Sequence, residues 1–434
     1  MVLWLQILTW SVTVGNRNVV LLAVARTSAK ASALLAVAGG RIASTFPGGD
    51  MKLHTFDEWS PLREIVLGSA SGYRQQARDL SFDLFFYDNL VHDNPKTHRI
   101  YYPRLATHGQ PTPTPSTATT TNIKQRYVDE LHEDVEGIAE TLESFGVHVR
   151  RPMNICEGAT HFATPAWSAT ALPPLNVRDN TLILGDEIIE TPPMMRSRYF
   201  ETQFLKPLFM EYFRHGARWT VMPRPWMTDR SFDLAYAEQI AAMEIVPTIN
   251  DSPYDVGIEM LFDAAQCLRF GRDILVNIAT ANHLLACEWL ERHLEGRYTI
   301  HRIDRLADSH IDSMVLPLRP GTLLIRSRQF LDYLPEALQK WDVIEAPAPK
   351  AENFPQYDDD DIILTSPFID LNVLSIDEHT VMVNDSYPEL SRVLEQHGFD
   401  VVPVRHRHRR LFGGGLHCFT LDTVRDGKLE NYFS

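Results

Sequence analysis

The chain has 434 residues, of which 44% are hydrophobic and 22% are charged, a composition typical of a globular protein with ample material for a core. Its formal net charge of -15 argues against a nucleic-acid binder, because phosphate contacts require a basic surface. The four cysteines (156, 267, 287 and 418) are widely spaced, which argues against a zinc site or a disulfide framework and indicates free thiols in a reducing compartment.

Residues 1–50 have the composition of a leader that is separate from the folded domain. Asp50 is their only acidic residue, and Arg26 and Lys30 interrupt the longest apolar stretch, which is therefore a poor membrane span. Three interpretations fit: an extension upstream of the true start at Met51, a transit peptide, or a secretory signal. We favour the first, and predict a single cytoplasmic domain over 51–434. A genuine transit peptide would make the protein mitochondrial.

A helix, a turn and a short strand recur along this domain. In the first copy Val128, Leu131, Val135, Ile138 and Leu142 have helical spacing, and a glycine at 146 ends the helix before a strand. The same succession recurs around four later turns, at Gly216, Gly296, Trp341 and Gly398. The segment 106–122 is of low complexity and is predicted to be a flexible surface loop.

Apolar, β-branched runs between these units predict strands. They are REIVLGS, TLILGDEIIET, DILVN, TLLIRS and LNVLSIDEHTVMVND, of which the second and the last have the turn residues of hairpins. The chain is thus predicted to fold into about five α/β modules. Two arrangements remain open: modules around a common axis with insertions in their loops, or a generic α/β sandwich without symmetry.

Candidate catalytic residues lie in two short motifs. In GGGLHC, three glycines precede Cys418, which suits a nucleophile presented at the floor of a pocket and equally suits a plain turn. In SHID, His310 and Asp312 face the same side if the segment is extended, although a surface strand explains them as well. His417 precedes the cysteine directly, and in an extended segment it would point to the opposite face.

Two further acids have both a functional and a structural interpretation. Asp263 follows an apolar run, so it is either a buried acid that needs a partner or the N-cap of a helix. Asp179 follows Arg178, which also fits a surface ion pair. A thiol, a histidine and several carboxylates together suit a guanidinium substrate, because carboxylates bind its planar cation and a thiolate attacks its central carbon.

Other polar and cysteine-containing stretches are predicted to be structural. The acidic run at 357–362 and the basic run at 405–410 are predicted to be solvated loops, because adjacent side chains of like charge cannot all point at one ion. Cys267 and Cys287 fall in apolar stretches that read as helices of the core.

Several motifs in one order resemble the amidinotransferase family. They are EWSPLREIVLGS, RDN with ILGDEIIETPPMMRSRYFE, FDAA, SHID and GGGLHC, and the likeness runs from about residue 53 to residue 430. The family includes glycine amidinotransferase and the inosamine-phosphate amidinotransferases. The resemblance implies the pentein fold, a five-module α/β propeller with pseudo-five-fold symmetry that is shared with arginine deiminases.

The resemblance also implies roles for individual residues. Cys418 resembles the amidino-accepting nucleophile, His310 the general acid/base, and Asp263 the carboxylate that orients and charges His310. Asp179 and Asp312 resemble the acids that bind the guanidinium.

For the donor's amino-acid end, Thr365 and Ser366 match a Ser-Ser pair of the family. The family arginine nineteen residues after the histidine is replaced by Gln329, with Arg328 and Arg326 just before it. Three explanations stay open: a one-residue shift in the loop restores the contact, the donor's carboxylate is held differently, or the donor is not plain arginine. The residues directly before His310 are Ala307, Asp308 and Ser309 rather than the Asn-Pro-Met of glycine-specific members. This departure favours the antibiotic-pathway branch over glycine as acceptor.

These implications define a hypothesis for the reaction. The amidino group of L-arginine moves to Cys418 with release of L-ornithine, and then to an acceptor amine in a ping-pong mechanism. Neither a metal nor an organic cofactor is required, neither a nucleic acid nor a membrane is a partner, and a homodimer is expected. The alternatives are a deiminase-like guanidino hydrolase and an inactive propeller that only binds a guanidino metabolite.

Overall fold

The computed structural model describes residues 7–14, 17–24, 52–74, 79–82, 123–155, 160–232, 259–304, 306–307, 310–358, 361 and 363–433. The chain divides into two compact units, Met1–Asp50 and Met51–Ser434. In the first unit, strands β1 (Ile7–Val14) and β2 (Arg17–Val24) pair as an antiparallel hairpin. The loop predicted at 106–122 and Cys156 lie outside the described residues.

The second unit alternates strands and helices, as an α/β protein does. Its strands are β3 (Leu62–Leu67), β4 (His148–Arg150), β5 (His161–Ala163), β6 (Ser168–Thr170), β7 (Thr181–Leu184), β8 (Glu187–Glu190), β9 (Arg218–Val221), β10 (Cys267–Phe270), β11 (Asp273–Ile278), β12 (Thr299–Asp304), β13 (Val315–Arg319), β14 (Thr322–Ile325), β15 (Asp342–Glu345), β16 (Leu374–Ser375), β17 (Thr380–Asn384), β18 (Asp400–Val404) and β19 (Thr420–Arg425). Its α-helices are α1 (Gln125–Ser144), α2 (Lys206–Arg214), α3 (Ala281–Leu294), α4 (Glu336–Gln339), α5 (Pro388–Gln396) and α6 (Arg409–Phe412).

Within the described ranges, five three-stranded sheets share one topology. Their strand orders are β19-β3-β4, β7-β8-β9, β10-β11-β12, β13-β14-β15 and β16-β17-β18. In each sheet the middle strand pairs antiparallel with the first strand and parallel with the third. Helices α1 to α5 lie between the middle and third strands of successive sheets, because a parallel pair requires a long crossover.

One of these sheets joins the two ends of the unit. Its first strand, β19, is the last strand of the chain, and it pairs with β3, the unit's first strand, from Thr420 opposite Leu67 onwards. The strand that follows Cys418 is therefore fixed by residues more than 350 positions away in sequence.

The predicted helices are confirmed in position and in burial. All five apolar positions named for the first unit, from Val128 to Leu142, are buried on one face of α1. Gly146, Gly216, Gly296 and Gly398 follow α1, α2, α3 and α5 and have positive φ. Glycine adopts this conformation without strain and so ends a helix where the chain must turn back to a strand.

The predicted strands correspond to β3, the hairpin β7-β8, β11, β14 and the hairpin β16-β17. The first strands of three sheets, β10, β13 and β19, were not predicted. The expectation that Cys267 lies in a helix is wrong, since it begins β10, whereas Cys287 does lie in α3. Both cysteines are buried, as expected for core residues.

The prediction of a solvated basic loop at 405–410 is wrong for most of its residues. His406, His408, Arg409 and Arg410 are buried, and Arg409 forms an ion pair of 2.6 Å with Asp370. Burial of an arginine requires such a counter-charge, and the pair ties the start of α6 to the 3-10 helix Pro367–Leu371.

The acidic run at 357–362 is only partly solvated. Asp358 is exposed, but Asp361 is buried, accepts a hydrogen bond from the Tyr127 hydroxyl at 2.7 Å and pairs with Lys124 at 2.9 Å. The segment thus anchors the beginning of α1. Across the described residues, the helices are too short or too polar for any of them to traverse a lipid bilayer.

Candidate active site

Five loops of the same kind form the site, and four of them carry the polar residues that the sequence singled out. Each loop directly precedes the first strand of one of the five sheets, and it presents its side chains at the same end of that strand. The loops carry Asp179 before β7, Asp263 before β10, His310 and Asp312 before β13, Asn372 before β16, and Cys418 before β19. The five predicted residues thus come together from four different sheets.

His310 and Asp263 form a buried hydrogen-bonded pair. His310 Nε2 lies 3.0 Å from Asp263 Oδ2, and the backbone N–H of Met194 donates to Asp263 Oδ1 at 3.2 Å. Asp263 does precede the short 3-10 helix Ala264–Gln266, but its side chain makes no capping hydrogen bond. Of the two interpretations of Asp263, the structure therefore supports a buried acid with a histidine partner.

Electrostatics favour the protonated form of His310. Burial would lower its pKa, but Asp179 and Asp263 outweigh the loss of water and raise that pKa to about 9. Burial also tends to raise the pKa of Asp263, yet the hydrogen bond from His310 holds it below the ordinary value. At neutral pH the pair is thus an imidazolium and a carboxylate.

Asp179 has one oxygen bound and one oxygen without a hydrogen bond. Arg198 Nη1 donates to Asp179 Oδ2 at 2.6 Å, whereas Oδ1 is buried with no hydrogen-bond partner among the described residues. This Oδ1 lies 3.7 Å from His310 Nδ1. Burial raises the pKa of Asp179 although His310 and Arg198 oppose it. The surface ion pair with Arg178 is not formed, because Arg178 pairs instead with Asp422 and Glu58.

Asp312 is arranged in the same way on the cysteine side. Its Oδ2 lies 2.8 Å from His417 Nδ1 and 3.5 Å from Cys418 Sγ, and its Oδ1 is buried with no hydrogen-bond partner in the described part of the chain. The segment is not extended as expected, since Ile311–Ser313 is a 3-10 helix. His310 and Asp312 still reach one site, but from the cap and the first turn of this helix.

The turn before Cys418 is held by close backbone packing. The backbone N–H of Cys418 donates to Asn372 Oδ1 at 2.8 Å. A Cβ on Gly415 would lie 2.5 Å from Asn372 Cβ, and one on Gly414 would lie 2.0 Å from Asn176 Oδ1. Gly414 and Gly415 are therefore needed because the turn packs directly against the side-chain amides of Asn176 and Asn372.

The thiol of Cys418 is buried among negative charges. Burial, followed by Asp312 and Asp179, raises its pKa well above the ordinary value. His417 does not point away from the cysteine as expected, because residues 416–419 form a turn and both side chains contact Asp312. A cation placed beside these carboxylates would reverse the field that disfavours the thiolate.

The same residues form the one group in the described part of the chain that has metal-ligand geometry. One ligand atom each from Asp179, His310 and Cys418 lie within 4.8 Å of one another. Arg198 already neutralises Asp179, and the raised pKa of His310 favours a proton on the ring, both of which oppose a divalent ion. The expectation of a metal-free reaction stays a prediction.

The residues expected to hold the donor's amino-acid end differ in their placement. Thr365 Oγ1 is buried with no hydrogen-bond partner among the described residues, and Ser366 Oγ caps the helix that begins at Pro367. The guanidinium of Arg326 lies over the ring of Phe368 in that helix, with its Cζ 4.1 Å from the ring centroid. Arg328 instead donates to the Val343 carbonyl and lies in an exposed contact with Glu345, on the outer strand of its sheet. This placement does not support a substrate contact by Arg328.

Several residues of the site were missed by sequence reasoning. Arg198 stood inside the quoted RSRYFE motif without a role, and Asn372 and Glu58 were not singled out at all. The available signal was physical. Buried acids such as Asp179 and Glu201 require a positive counter-charge, and Arg198, three residues before Glu201, supplies it to both of them.

Comparisons with known proteins agree with this geometry. No protein-family model matches the chain. It is 32% identical over 378 residues to inosamine-phosphate amidinotransferase 1 of Streptomyces glaucescens, covering 87% of this chain and 97% of that protein. It is 31% identical over 389 residues to the L-arginine:L-lysine amidinotransferase of Pseudomonas savastanoi pv. phaseolicola, covering 87% and 96%.

The solved structures give the same result. An inosamine-phosphate amidinotransferase from Streptomyces griseus superposes with a TM-score of 0.71 at 30% identity, covering 88% of this chain and 99% of that one. The chain belongs to the amidinotransferase family, which confirms the resemblance drawn from its motifs. Its class is that of the transferases of amidino groups.

Proposed function

We propose that this enzyme moves the amidino group of L-arginine to an acceptor amine through a covalent amidino-cysteine on Cys418, with release of L-ornithine. One observation carries the proposal. A thiol, an imidazole nitrogen and a carboxylate oxygen, from Cys418, His310 and Asp179, lie within 4.8 Å of one another in a buried site. A nucleophile, a proton donor and a cation-binding group are thus close enough to act on one carbon atom.

The two carboxylates with free oxygens form the guanidinium site. Asp179 Oδ1 and Asp312 Oδ1 are buried acceptors without hydrogen bonds among the described residues, which is costly unless a ligand supplies donors. A guanidinium supplies several N–H donors in one plane together with a positive charge. Its binding between Asp179 and Asp312 places the central carbon beside Cys418 Sγ, which lies 3.5 Å from Asp312 Oδ2.

Substrate binding activates the nucleophile. Burial and the carboxylates raise the pKa of Cys418, so the thiol is protonated when no cation is near. The positive guanidinium offsets Asp179 and Asp312 and favours loss of the thiol proton to solvent. Arginine thereby promotes formation of the thiolate that attacks it, and the thiol stays unreactive in its absence.

In the first half-reaction the thiolate attacks the guanidinium carbon and a C–S bond forms. The bond from that carbon to the side-chain nitrogen of arginine breaks, and His310 donates a proton to this nitrogen so that ornithine leaves as an amine. The donor atom is Nδ1, since Nε2 is engaged with Asp263. Cys418 now carries a cationic amidino group and His310 is neutral.

The second half-reaction reverses these events with another amine. The acceptor attacks the amidino carbon as a neutral amine, His310 takes a proton from its nitrogen, and the C–S bond breaks to return the thiolate of Cys418. His310 is protonated again, so charges and atoms balance over the cycle. With a pKa of about 9, His310 is protonated before the first half-reaction at neutral pH, and the neutral ring left after it is basic enough to take a proton from the acceptor.

The donor's carboxylate is proposed to lie near Arg326 and Thr365. Thr365 Oγ1 is a buried hydroxyl oxygen without a hydrogen bond in the described part of the chain, and Arg326 stacks on the adjoining 3-10 helix. This arrangement would replace the family arginine whose position holds Gln329. Arg328 is left out because of its exposed contacts on β15.

The acceptor is proposed to enter beside the segment before His310. Asn277 fixes the start of this segment, as its Oδ1 accepts from the backbone N–H of Leu306 at 2.9 Å and its Nδ2 donates to the Ala307 carbonyl at 2.8 Å. Asp308 and Ser309 lie outside the described residues. Because Ala307, Asp308 and Ser309 stand where glycine-specific members have Asn-Pro-Met, we propose a primary amine other than glycine as the acceptor.

We also propose that the five sheets surround a common axis, as in the pentein propeller. Contacts between successive sheets support this arrangement. They are Arg178 N–H to the Cys418 carbonyl, Ala264 N–H to the Asp179 carbonyl, His310 to Asp263, the Ser375 hydroxyl to the Leu318 carbonyl, and His417 N–H to the Asn372 carbonyl. Followed in this order, the contacts lead from the sheet of β19 through the other four sheets and back to the sheet of β19.

We also propose a cytoplasmic location, because the reaction needs a reduced thiol.

Mass spectrometry of the protein after exposure to arginine tests the proposal. We expect the mass of one amidino group on the peptide that contains Cys418, and its loss when a primary amine such as lysine or an aminocyclitol phosphate is added. Cys418→Ala should form no adduct and no ornithine. Citrulline and ammonia from arginine alone would instead establish a hydrolase, and turnover by Cys418→Ala would exclude Cys418 as the nucleophile.

A further inference from the structure

The two guanidinium-binding carboxylates share a feature that the reaction scheme leaves unused. Each is buried, each has one oxygen bound by a basic side chain from behind, and each leaves its other oxygen without a hydrogen bond among the described residues. The basic partners are Arg198 for Asp179 and His417 for Asp312. These two pairs come from different parts of the chain, so their similarity is not a consequence of one local motif.

Arg198 is itself fixed on three sides. Its Nη1 donates to Asp179 Oδ2 at 2.6 Å, its Nη2 donates to the Asn176 carbonyl at 2.9 Å, and it makes two hydrogen bonds with Glu201, at 2.6 and 2.8 Å. A guanidinium held in this way does not rotate, so it defines which oxygen of Asp179 remains open.

His417 has an equivalent support behind Asp312. Its Nδ1 lies 2.8 Å from Asp312 Oδ2, and its Nε2 lies 3.3 Å from Glu58 Oε2. Glu58 is in turn bound by Arg269, whose Nε donates to its Oε1 at 2.8 Å. The imidazole therefore bridges two buried carboxylates, one at the site and one in the ion-pair network beneath it.

We propose that Arg198 and His417 are positioning residues for the amidino transfer, and that each holds one oxygen of a guanidinium-binding carboxylate so that a single ionised oxygen faces the substrate. The inference rests on the proposed function. It deepens that function by stating what makes the site selective for a planar cation: two single acceptors at fixed positions rather than two mobile carboxylates.

The proposal has an electrostatic consequence for Asp179. The charged and titratable groups around it are Arg198, His310, Asp263, Cys418 and, behind Arg198, Glu201. Burial already favours the neutral acid, and Arg198 is one of the charges that oppose it. Loss of that charge raises the pKa of Asp179 further, so more of the carboxyl is protonated at a given pH and guanidinium binding recovers as the pH rises.

Arg198→Met tests the first pair, through kcat/KM for arginine measured across the pH range. We expect a loss on the order of 100-fold near neutral pH, as for truncation of one member of a buried charge pair, with the acid limb of the profile displaced to higher pH. Arg198→Lys keeps the charge and should keep the acid limb in place. Arg198→Gln is a second neutral variant in case the methionine variant does not fold.

Arg196→Met is the matched control. Arg196 lies two residues away in the same 3-10 helix, is equally buried, and pairs with Asp229 outside the site. It controls for loss of a buried arginine as such, and its pH profile should coincide with that of the wild type. An acid limb displaced equally in both variants, or in neither, would overturn the proposal.

His417→Leu and His417→Asn test the second pair. The leucine removes the contact with Asp312, whereas the asparagine keeps a hydrogen-bond donor near it, so adduct formation should fall sharply in the first and be partly retained in the second. His408→Asn, at another buried histidine paired with a glutamate, is the control. Equal rates for His417→Leu and the wild type would refute the role of His417.

The two levels of the proposal fail in different ways. If the wild-type protein forms neither an amidino adduct nor ornithine, the proposed function is wrong and the variants are not informative about positioning. If the wild type turns over arginine and the Arg198 and His417 variants match it at all pH values, only the positioning roles are wrong.

Discussion

In the proposed mechanism, His310 has to hold a proton before ornithine leaves and to give it up in that step. Two carboxylates raise the pKa of this ring to about 9. Asp263 is hydrogen-bonded to Nε2 at 3.0 Å, and Asp179 lies 3.7 Å from Nδ1. Departure of ornithine needs the protonated ring, so cleavage of arginine should slow as the pH rises through that value. The carboxylate of Asp263 thus sets the alkaline limit of the first half-reaction.

Asp263→Asn should move this limit. The amide lacks the negative charge that raises the pKa of His310, so that pKa falls and the alkaline limb of kcat/KM for arginine shifts to lower pH. We also expect kcat to fall about 100-fold, the lower end of the range for general acid–base catalysis. Initial rates of ornithine release between pH 6 and pH 10, about the range set by the free and bound histidine, measure both effects.

The control for this variant is another aspartate that is paired with a histidine. Asp273 Oδ1 lies 2.8 Å from His301 Nε2, between the neighbouring strands β11 and β12. This pair takes no part in the site, so Asp273→Asn should leave the alkaline limb in place. An alkaline limb that is identical in Asp263→Asn and in the wild type would show that His310 is not the group that titrates.

At this scale the sequence indicated the candidate reacting residues but not the residues that contact and hold them. Cys418, His310 and the three aspartates stand in short motifs, and their chemistry is recognisable from residue type. Asn372 and Arg198 are recognisable only from what they contact, since a buried amide or arginine has no signature of its own. The expectation for His417 was wrong because it assumed an extended segment where the chain makes a turn.

The turn that presents Cys418 is built by packing between elements rather than by flexibility. Helix α6 ends at Gly413, which has a φ of 74°, and the next two glycines lie against the amides of Asn176 and Asn372. These amides belong to the loops before β7 and β16. The position of Cys418 therefore depends on two neighbouring loops, and Gly414 and Gly415 are what allows them to approach.

Gly415→Ala should displace Cys418. The added Cβ would lie 2.5 Å from Asn372 Cβ, closer than real contacts allow, and Asn372 Oδ1 is the acceptor for the Cys418 N–H. We expect kcat to fall about 100-fold, since small misplacement of a reacting group has an effect of this size. Rates of adduct formation and thermal unfolding, measured together, separate loss of geometry from loss of fold.

Gly137→Ala is the matched substitution. Gly137 lies within α1 and has nothing within 4 Å of the added Cβ, so alanine should leave activity unchanged and raise stability by about 0.5–1 kcal/mol. Full activity of Gly415→Ala would show that the turn tolerates a side chain and that the glycines serve another purpose.

Elements differed in how well their sequence pattern revealed them. Helix α1 has an apolar stripe because only one of its faces is buried, and its bounds follow from that period. Strand β10 is buried at all four positions, Cys267–Phe270, and so shows no alternation of apolar and polar residues. Such a short, fully buried strand cannot be distinguished from a helical stretch by period, which is why Cys267 was placed in a helix.

For the molecule as a whole, repetition made the fold predictable in part. A helix, a turn and a strand that recur five times indicate five α/β modules, and five sheets of one topology are present in the described ranges. The pairing of β19 with β3 was not predicted, because nothing in either strand specifies a partner so far away in sequence. That pairing places the last strand of the chain, and with it Cys418, among loops from the other sheets.

The site and all five sheets lie within the unit Met51–Ser434. A chain that begins at Met51 retains every residue of the proposed mechanism and both strands of the β19-β3 pair. We therefore expect it to fold and to transfer amidino groups with the kcat/KM and the thermal midpoint of the full chain. Parallel expression of both forms, followed by the ornithine assay and thermal unfolding, measures this.

A longer deletion supplies the contrast. A chain that begins after Leu67 also loses Glu58, which supports His417, and β3, which pairs with the strand that follows Cys418. Since β19 would then expose an unpaired edge next to the nucleophile, this chain should aggregate or unfold rather than turn over arginine. If the chain from Met51 also loses activity while it stays folded, residues 1–50 contribute to catalysis, and the interpretation of this segment as a separate leader is wrong.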